Sequence, residues 1–387
     1  MVNIFPLRFR PLLRVLNHRM RAGRLRELRQ FFANGNSSRP TRANATAEIP
    51  WSQTFSQQPP LLFQMASAYW VSQAIYAAAK LGIADVLNDG RKSVDELANA
   101  IEADANSLRR LLRVLSMLNV CQITKSEEFE LTALGKALQS GVAGSLRAIV
   151  LTLGELHYKA WGHLCESVQT GHPGFCSVFG SPMFDFLEKN SNSGEIFNLA
   201  MTDFSAFVAH ALLLSYDFSG IKSLVDVGGG CGKLLTSILE VYPSLQGVIL
   251  DLPGVVDAAC ERIRSHACRD RCAAISGNFF QSVPHGGDVY LLSGIIHDWN
   301  DEAAEIILKN CRNSMRPQGK VLAIECVVPE SDEPSFSKLL DLNMMVMTGG
   351  RERTEREFRE LFDNSGLRVT EVISTLSPLR VIEAVRN

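Results

Sequence analysis

Hydrophobic and polar positions divide the chain into a helical first part and an alternating second part. Apolar residues recur at helical spacing over 61–83, and the capping box Ser93–Glu96 predicts the start of a short helix. Asn106 is placed to cap a further helix over 107–118, and two extended runs follow around a polar tip at 125–128. Helix, helix and hairpin in this order predict a winged-helix arrangement.

The pattern changes at residue 221. Residues 140–220 are predicted to be mostly helical, with helix starts near Asn192 and Thr202. Beyond them, apolar runs alternate with amphipathic stretches, which predicts parallel strands joined by right-handed helical crossovers. The predicted strands are 223–227, 246–251, 273–276, 288–293 and 319–325, followed by an antiparallel edge of 367–374 and 379–385.

A glycine cluster follows the first of these strands. The run LVDVGGGCGK, 224–233, precedes a helical pattern and predicts a strand, a tight turn and a helix. Glycines let a ligand approach bare main chain, and the helix N-terminus offers free N–H groups. Lys233 stands where a dinucleotide fingerprint has its third glycine, so the motif favours S-adenosylmethionine over NAD. The alternative is a plain βα turn. Asp251, ending the next strand where a carboxylate can bind ribose hydroxyls, counts against it.

Composition adds limits to this picture. The 387 residues carry a net charge of −2, which gives no whole-chain argument for nucleic acid. Nine scattered cysteines indicate a reducing compartment without a disulfide framework or metal site, and no apolar run reaches transmembrane length. Residues 1–58 are Arg-rich and acid-poor. They are interpreted as a disordered extension, an organelle transit peptide or a membrane-surface anchor. We expect a cytoplasmic protein.

Three residues suited to acid–base chemistry fall near the carboxyl ends of the later strands, where ligands bind in such sheets. His297 follows the fourth strand, Glu325 ends the fifth, and Glu352 lies in a loop before an amphipathic helix over 355–361. Each has a structural alternative on its own: a capping or core histidine, a paired strand-end acid, and a surface loop charge. Whether the three converge is therefore a hypothesis at this stage.

Together the three residues would suit methyl transfer to a hydroxyl group. A neutral phenol, with a pKa of about 10, is a poor nucleophile. An imidazole can take its proton as the methyl group arrives, and a carboxylate against the other ring nitrogen fixes the tautomer. This chemistry requires no metal.

The chain resembles the metal-independent small-molecule O-methyltransferase family, which includes caffeate, acetylserotonin and bacterial natural-product enzymes. The resemblance covers 60–387 and is carried by LVDVGGGCG, VILDLPGVV, LLSGIIHDWNDE, GKVLAIECVVPE and MMVMTGGRERTEREF, in that order. It implies an α/β fold, with a Rossmann-like class I methyltransferase domain over 206–387. A mostly helical, winged-helix-like dimerisation domain over 59–205 would precede it. It also implies S-adenosyl-L-methionine as cofactor and a homodimer.

The resemblance implies that His297 is the catalytic base and that Glu325 and Glu352 flank it. The residues expected to bind the cofactor are Asp226, Gly228, Gly230, Asp251, Leu252, Asn278, Phe279, Ser293 and Ser205. The acceptor pocket is expected to be lined by Met201, Trp161, Asp298, Met344 and Met347.

Two places in the sequence depart from the family pattern: the Asn278–Phe279 pair and Phe204. Asn278 and Phe279 stand where many relatives have an Asp-Met or Asp-Phe pair, although the Asn278 amide can still hydrogen-bond the adenine amino group. Phe204 stands where some relatives have histidine, which leaves the pocket less polar.

The leading hypothesis is O-methylation of a phenolic or enolic hydroxyl on a small aromatic or polyketide-like metabolite. One alternative keeps the cofactor but methylates nitrogen or carbon, or catalyses a non-methylating reaction. Another is a winged-helix regulator using Arg109, Arg110 and Arg113, although nearby acids weaken a phosphate-seeking field and no nucleic-acid partner is expected. An NAD dehydrogenase is the weakest alternative.

Overall fold

The structure is a computed structural model that describes residues 58–387, with side chains from Leu61 onward. Residues 66–387 form one compact unit, which contains the sheets and the helices from Tyr69 onward. The Arg-rich segment before residue 58 lies outside the described residues, so its three interpretations stay predictions. The domain boundary predicted at residue 205 likewise stays a prediction.

The first part of the described chain has the predicted order of helix, helix and hairpin. Ser93 and Glu96 form the predicted capping box, with the Ser93 N–H donating to Glu96 Oε2 at 2.7 Å. The elements are α1 Gln58–Ala66, α2 Tyr69–Lys80, α3 Ile83–Val86, α4 Val94–Ala100, α5 Ala105–Met117, β1 Cys121–Ile123 and β2 Phe129–Leu131. β1 and β2 pair antiparallel, which completes the hairpin.

The cap of α5 was assigned to the wrong residue. Asp104, in an extended conformation, accepts the N–H of Ser107 at 2.8 Å, so α5 begins before Asn106. Both residue types cap helices well, and spacing alone does not separate them. The side chains of Leu108 and Leu112 are buried on the inner face of α5.

The middle of the chain is helical, as predicted, but contains fewer breaks than expected. Its last helix runs from Ser191 to Ser215 without a new start at Thr202, because no glycine or proline interrupts its second half. The elements are α6 Arg147–Thr152, a π-helical turn Leu153–His157, α7 Tyr158–Trp161, α8 Leu164–Thr170, α9 Gly174–Phe179, α10 Met183–Lys189 and α11 Ser191–Ser215.

Helix α11 bears on the expectation that no apolar run reaches transmembrane length. By length and composition alone, its 25 residues would suffice to cross a membrane. That expectation is therefore not confirmed. The core helix of a soluble protein passes the same test, so the finding is weak evidence for a membrane span.

The last part of the chain forms a mixed α/β sheet in the strand order β5-β4-β3-β6-β7-β10-β9, with β8 paired to β7. Strands β3 to β7 are parallel, and β10 pairs antiparallel with β7 and β9, as the sequence predicted for its last two strands. The elements are β3 Ser223–Val227, α12 Lys233–Val241, β4 Gln246–Asp251, α13 Pro253–Ser265, β5 Cys272–Ser276, β6 Val289–Ser293, α14 Asp301–Ser314, β7 Lys320–Val328, α15 Phe336–Met347, β8 Arg353–Thr354, α16 Glu355–Asn364, β9 Leu367–Ser374 and β10 Leu379–Arg386.

Helices cover both faces of this sheet. Alternate residues of β3 enter different cores: Leu224 packs with residues of α11 and α12, and Val225 packs with residues of α14 and α16. Completely burying a leucine such as Leu235 stabilises the fold by about 1.5–3 kcal/mol. The strand order reverses between β3 and β6, and ligands of doubly wound sheets bind at the carboxyl ends of the strands at such a point.

Candidate active site

The glycine turn after β3 has a backbone that other residues would strain. Gly228, Gly230 and Gly232 have φ values of 70°, 58° and 77°, in the region that favours glycine. A Cβ on Gly228 would lie 2.4 Å from Ile295 Cδ1, so the turn also packs closely against the loop that follows β6. The free N–H groups of α12 come directly after this turn, which suits a polar or anionic ligand group.

Asp251 ties the end of β4 to the glycine turn. Its Oδ2 accepts the N–H of Gly230 at 2.7 Å, and its Oδ1 accepts the N–H of Leu252 at 2.7 Å. Burial raises the pKa of Asp251, and the two backbone hydrogen bonds oppose that rise. A carboxylate has about four acceptor positions, so Asp251 keeps lone pairs for ribose hydroxyls.

Asp226 is a buried acid with an unsatisfied oxygen. It lies on β3 with 1% of its surface exposed, and among the described residues its Oδ2 has no hydrogen-bond partner. Burial and the charge of Asp251 raise its pKa to about 7. Leaving such an atom unpaired is costly, and a cationic donor would relieve that cost. The ammonium group of S-adenosylmethionine is such a donor, so the residues present fit this cofactor.

The other predicted cofactor residues lie at the same edge of the sheet or on α11. Asn278 follows β5, and its Oδ1 accepts the N–H of Phe280 at 2.9 Å, which leaves its amide donors for an adenine. Phe279 packs against Phe280 and Trp299, with ring centroids 4.9 and 6.1 Å away. Ser293 ends β6 and Ser205 lies on α11. Their roles in binding stay predictions.

His297 lies in a short 3₁₀ turn, Ile296–Asp298, directly after β6. Its Nδ1 lies 2.8 Å from Glu352 Oε1 and 3.5 Å from Glu325 Oε2. Its Nε2 lies 3.9 Å from Asp298 Oδ1 and has no hydrogen-bond partner among the described residues. The structure thus brings together the three side chains that the sequence placed at the sheet edge.

Glu325 lies inside β7 rather than at its end, which corrects the sequence-based placement. β7 continues for three residues beyond Glu325 to Val328, because it pairs there with β8 and β10. The neighbouring strand β6 stops one residue short of this level, where Ser293 pairs with Ile324. Glu325 therefore still faces the loop that carries His297, and its Oε1 accepts the N–H groups of Ile295 and Ile296 at 3.0 and 2.8 Å.

A second loop holds the His297 turn from the other side. The Arg351 N–H donates to the His297 carbonyl at 2.8 Å, and a Cβ on Gly350 would lie 2.1 Å from that carbonyl oxygen. Arg353, with 1% exposed, donates to the carbonyls of Ile296 and Trp299 at 3.1 and 2.9 Å. We call this loop, 350–353, the clamp.

The acids around His297 have a larger effect on its pKa than burial does. Burial alone would lower the pKa of His297, but Glu325, Asp298 and Glu352 together outweigh burial and raise it to about 10. Burial in turn raises the pKa of Glu325 to about 7 and that of Asp298 to about 6, against the opposing pull of the imidazolium. In the ligand-free protein these acids therefore favour the cationic form of the ring.

The same cluster has the composition of a metal site. The nearest ligand-type atoms of His297, Glu325 and Glu352 all lie within 4.8 Å of one another. One oxygen each of Glu325 and Glu352 is sealed from solvent without a partner among the described residues. The 2.8 Å contact between His297 Nδ1 and Glu352 Oε1 has the length of a charge-assisted hydrogen bond. EDTA treatment tests the prediction that no metal is used.

The predicted acceptor residues occupy different environments. Met344 and Met347 are buried on α15, and Met201 is partly exposed on α11. Trp161 donates its Nε1–H to Asn343 Oδ1 at 2.9 Å, and His157 Nδ1 lies 2.9 Å from the same oxygen. Neither Asn343 nor His157 was singled out in the sequence. An amide within the apolar run LNMMVM was the one available signal for Asn343.

Parallel strands with this switch point, followed by a glycine turn and a strand-end acid, are the arrangement of a class I methyltransferase. The sequence pattern of the "O-methyltransferase domain" family matches residues 161–368, and that of the "O-methyltransferase dimerisation domain" matches residues 63–141.

Known proteins resemble the chain over most of its length. It is 41% identical to the phenazine O-methyltransferase of Lysobacter antibioticus, over 89% of this chain and 99% of that protein. It is 35% identical to the phenazine-1-carboxylate N-methyltransferase of Pseudomonas aeruginosa, over 84% and 96%. The crystal structure of a methyltransferase of calicheamicin biosynthesis with S-adenosylhomocysteine superposes with a TM-score of 0.73 at 33% identity, over 86% and 98%.

The chain therefore belongs to the O-methyltransferase family with an N-terminal dimerisation domain. It is an S-adenosylmethionine-dependent enzyme. The predicted fold class, family and cofactor are confirmed.

Proposed function

We propose that the protein transfers the methyl group of S-adenosylmethionine to a phenolic or enolic hydroxyl of a small aromatic metabolite, with His297 as general base. The observation that carries this proposal is the 2.8 Å contact between His297 Nδ1 and Glu352. It commits Nδ1–H to a carboxylate and leaves Nε2 without a hydrogen-bond partner among the described residues. A positioned imidazole with one nitrogen anchored and the other open is the arrangement a general base needs.

The cofactor supplies an activated methyl group when it is bound. Asp226 offers an acceptor for its ammonium group, and Asp251 offers acceptors for its ribose hydroxyls. The glycine turn keeps side chains away from the main chain at the N-terminus of α12. Each of these residues binds or orients, and none takes part in proton transfer.

The raised pKa of His297 sets a condition on this mechanism. A ring that is cationic in the ligand-free protein becomes a base only after it loses the proton on Nε2. A positive charge placed near an imidazolium lowers its pKa, and the sulfonium of the bound cofactor carries such a charge. We therefore propose that His297 releases this proton when S-adenosylmethionine binds. Binding of S-adenosylhomocysteine, whose sulfur is a neutral thioether, should release fewer protons.

Calorimetry tests this proton release directly. Binding enthalpies measured in buffers of different ionisation enthalpy report the number of protons released. We expect more protons for S-adenosylmethionine than for S-adenosylhomocysteine at neutral pH, and the difference should vanish in His297→Gln. Equal proton counts for the two ligands in the unmodified protein would contradict the proposed condition.

The relatives support hydroxylated aromatic acceptors without naming one for this chain. They include a phenazine O-methyltransferase, a mitomycin 6-O-methyltransferase and a 3-amino-4-hydroxybenzoate 4-O-methyltransferase. A phenazine-1-carboxylate N-methyltransferase of similar identity keeps nitrogen methylation open as a second candidate. To separate the two candidates, products made with methyl-labelled cofactor are treated with boron tribromide and analysed by mass spectrometry. An aromatic O-methyl ether loses the label in this treatment, and an N-methyl product keeps it.

Replacing His297 by Ala tests the base. General acid–base catalysis contributes about 10²–10⁴-fold, so we expect kcat to fall by that factor. The dissociation constant of S-adenosylhomocysteine should stay nearly unchanged. His266→Ala is the matched control, because His266 contacts Glu240 and Cys268 away from the sheet edge. Unchanged turnover in His297→Ala would reject His297 as the base.

We further propose that the protein works as a cytoplasmic homodimer. The dimerisation family pattern over residues 63–141 supports the dimer. Light scattering of the full chain would measure the assembly, and a monomeric mass at assay concentration would contradict it.

A further inference from the structure

Three side chains outside the methyl-transfer site stand in the order of a nucleophilic triad. Glu240 lies in the last turn of α12, and its Oε1 is 2.9 Å from His266 Nε2. His266 directly follows α13, and its Nδ1 is 3.1 Å from Cys268 Sγ. A nucleophile within hydrogen-bond distance of a base that a third group orients is the signature of an activated nucleophile. The proposed methyl transfer uses none of these three residues.

Hydrogen bonds fix which nitrogen of His266 can act as the base. The Cys268 N–H donates to His266 Nδ1 at 3.3 Å, so this nitrogen carries a lone pair. In the neutral ring Nε2 then carries the hydrogen, which faces the Glu240 carboxylate. The lone pair of Nδ1 also faces the Cys268 sulfur, so the thiol proton can pass to the ring. The carboxylate on the other nitrogen stabilises the imidazolium that results.

A second free thiol lies next to the first. Cys272 begins β5, and the 3₁₀ turn Arg269–Arg271 separates it from Cys268. The Arg271 N–H closes this turn by donating to the Cys268 carbonyl at 2.9 Å. Both thiols belong to one hydrophobic core, where burial and a side-chain contact with Cys268 raise the pKa of Cys272 to about 12. Redox-active cysteines are often placed beside such a resolving thiol.

The surroundings of Cys268 limit which reagents can reach its sulfur. Cys268 is 1% exposed, whereas the side chains of His266 and Glu240 are 20% and 54% exposed. Burial raises the pKa of the Cys268 thiol, so the thiol keeps its proton until His266 takes it. The base and its carboxylate thus reach solvent while the sulfur stays shielded. A small neutral oxidant such as hydrogen peroxide fits this arrangement, and a bulky or charged reagent does not.

We propose that Cys268 is a peroxide-reactive thiol that forms a disulfide with Cys272. His266 is its base, and Glu240 orients that base.

The reaction proceeds in two balanced steps. His266 Nδ1 takes the thiol proton while the Cys268 sulfur attacks one oxygen of hydrogen peroxide. The O–O bond breaks, and the leaving hydroxide takes the proton back from His266 as water, which leaves a sulfenic acid on Cys268. The Cys272 sulfur then attacks the Cys268 sulfur, the S–O bond breaks, and the hydroxyl group leaves with the Cys272 proton as a second water. Two thiols are oxidised, and one peroxide is reduced to two waters.

Peptide mapping of the full chain during treatment with hydrogen peroxide tests this proposal. Trypsin cuts after Arg269 and Arg271, so the disulfide joins two peptides that are otherwise separate. Cys165 serves as an exposed control and Cys311 as a buried one, since burial raises the pKa of Cys311 to about 12. We expect the joined peptide to form before either control thiol is oxidised, and dithiothreitol should separate it again.

His266→Asn is the sharpest variant, because it removes the base and keeps the turn. An asparagine side chain accepts the N–H two residues further on, as His266 Nδ1 does. We expect oxidation of Cys268 to slow by about 10²-fold, the lower end of what general acid–base catalysis contributes. Glu240→Gln keeps an oxygen for Nε2 and should slow it less. Replacing the exposed His285 by Asn is the matched control and should leave the rate unchanged.

Cys272→Ser separates the two steps. This variant should stop at the sulfenic acid, which adds one oxygen to the peptide of Cys268. Thermal unfolding verifies that each variant is folded. The inference is overturned if Cys268 stays reduced while Cys165 is oxidised, or if folded His266→Asn is oxidised at the native rate. Methyl transfer does not enter these measurements, so their outcome is independent of the proposed function.

Discussion

Two partly buried histidines of this protein, His297 and His157, show how one type of side chain acquires opposite properties. Nδ1 of His297 lies beside two glutamates and its Nε2 near an aspartate, and these acids raise its pKa to about 10. Nδ1 of His157 lies against a neutral amide, and burial lowers its pKa. The first is arranged to hold or release a proton, and the second is arranged to keep one tautomer. Their neighbouring charges, rather than their burial, account for the difference.

The largest expected effect comes from removing the negative charge of Glu352 beside His297. Glu352→Gln keeps an oxygen for His297 but removes the charge that stabilises an imidazolium, so we expect kcat to fall by about 10²–10⁴-fold. Because Glu352 raises the pKa of His297, the acidic limb of the pH profile should move to lower pH. The pH dependence of kcat measures both effects. The exposed Glu360→Gln is the control, and a Glu352→Gln enzyme with the native rate and pH profile would show that the contact is only structural.

The next effect comes from the clamp, which holds the His297 turn. Gly350→Ala places a Cβ against the His297 carbonyl, where the added atom would lie 2.1 Å from oxygen. We expect a loss of about 1–3 kcal/mol in the free energy of unfolding, together with slower turnover. Urea denaturation and steady-state kinetics measure the two losses. Gly254→Ala is the control, since open space surrounds that glycine. Native stability in Gly350→Ala would mean that the two loops are not tightly packed.

A smaller effect is a different pH dependence of protein stability for the two histidines. The pKa of His297 is raised in the folded state, so its stabilisation is complete below the ordinary value of 6.5 and is lost as the pH rises towards about 10. The pKa of His157 is lowered, so stability falls as the pH drops below 6.5. His297→Gln should flatten the alkaline side of the stability profile, and His157→Gln should flatten the acidic side. Urea denaturation across a pH series measures both profiles, and identical profiles for the two variants would refute the contrast.

The last prediction is that removing metal ions leaves the activity unchanged. If protons alone neutralise the His297 cluster, excess EDTA should leave turnover unchanged, and added Mg²⁺ or Zn²⁺ should not raise it. The acids present could also hold a cation, since their atoms lie within 4.8 Å of one another. If EDTA abolishes the activity and a single metal ion restores it, the cluster is a metal site.

The sequence predicted the sheet well because its signals are local. Each strand is a short apolar run, and the chemistry-bearing residues follow those runs directly, as Asp251 and His297 do. Errors occurred where two local signals compete. Asp104 and Asn106 are both good caps, for example. Glu325 looked like a strand end for another reason, because the pairing of β7 with β8 is a long-range contact.

His157 and Asn343 were missed for a different reason, although Trp161, which contacts Asn343, was predicted as a pocket residue. Asn343 follows His157 by 186 residues, and no periodic pattern connects them. Arg353 was missed in the same way, because a charged residue in a loop gives no sign that it will be completely buried. Contacts of this kind depend on how helices and loops pack, and one sequence does not encode that packing in any short window.

The order of α15 and the clamp along the chain has a consequence for the reacting centre. The helix that presents Asn343 ends at Met347, and the clamp that grips the His297 turn begins three residues later. Asp341 joins the helix directly to Glu352. A displacement of α15 would therefore move Glu352 and the anchor of the His297 ring with it, so packing changes on this helix reach the reacting centre.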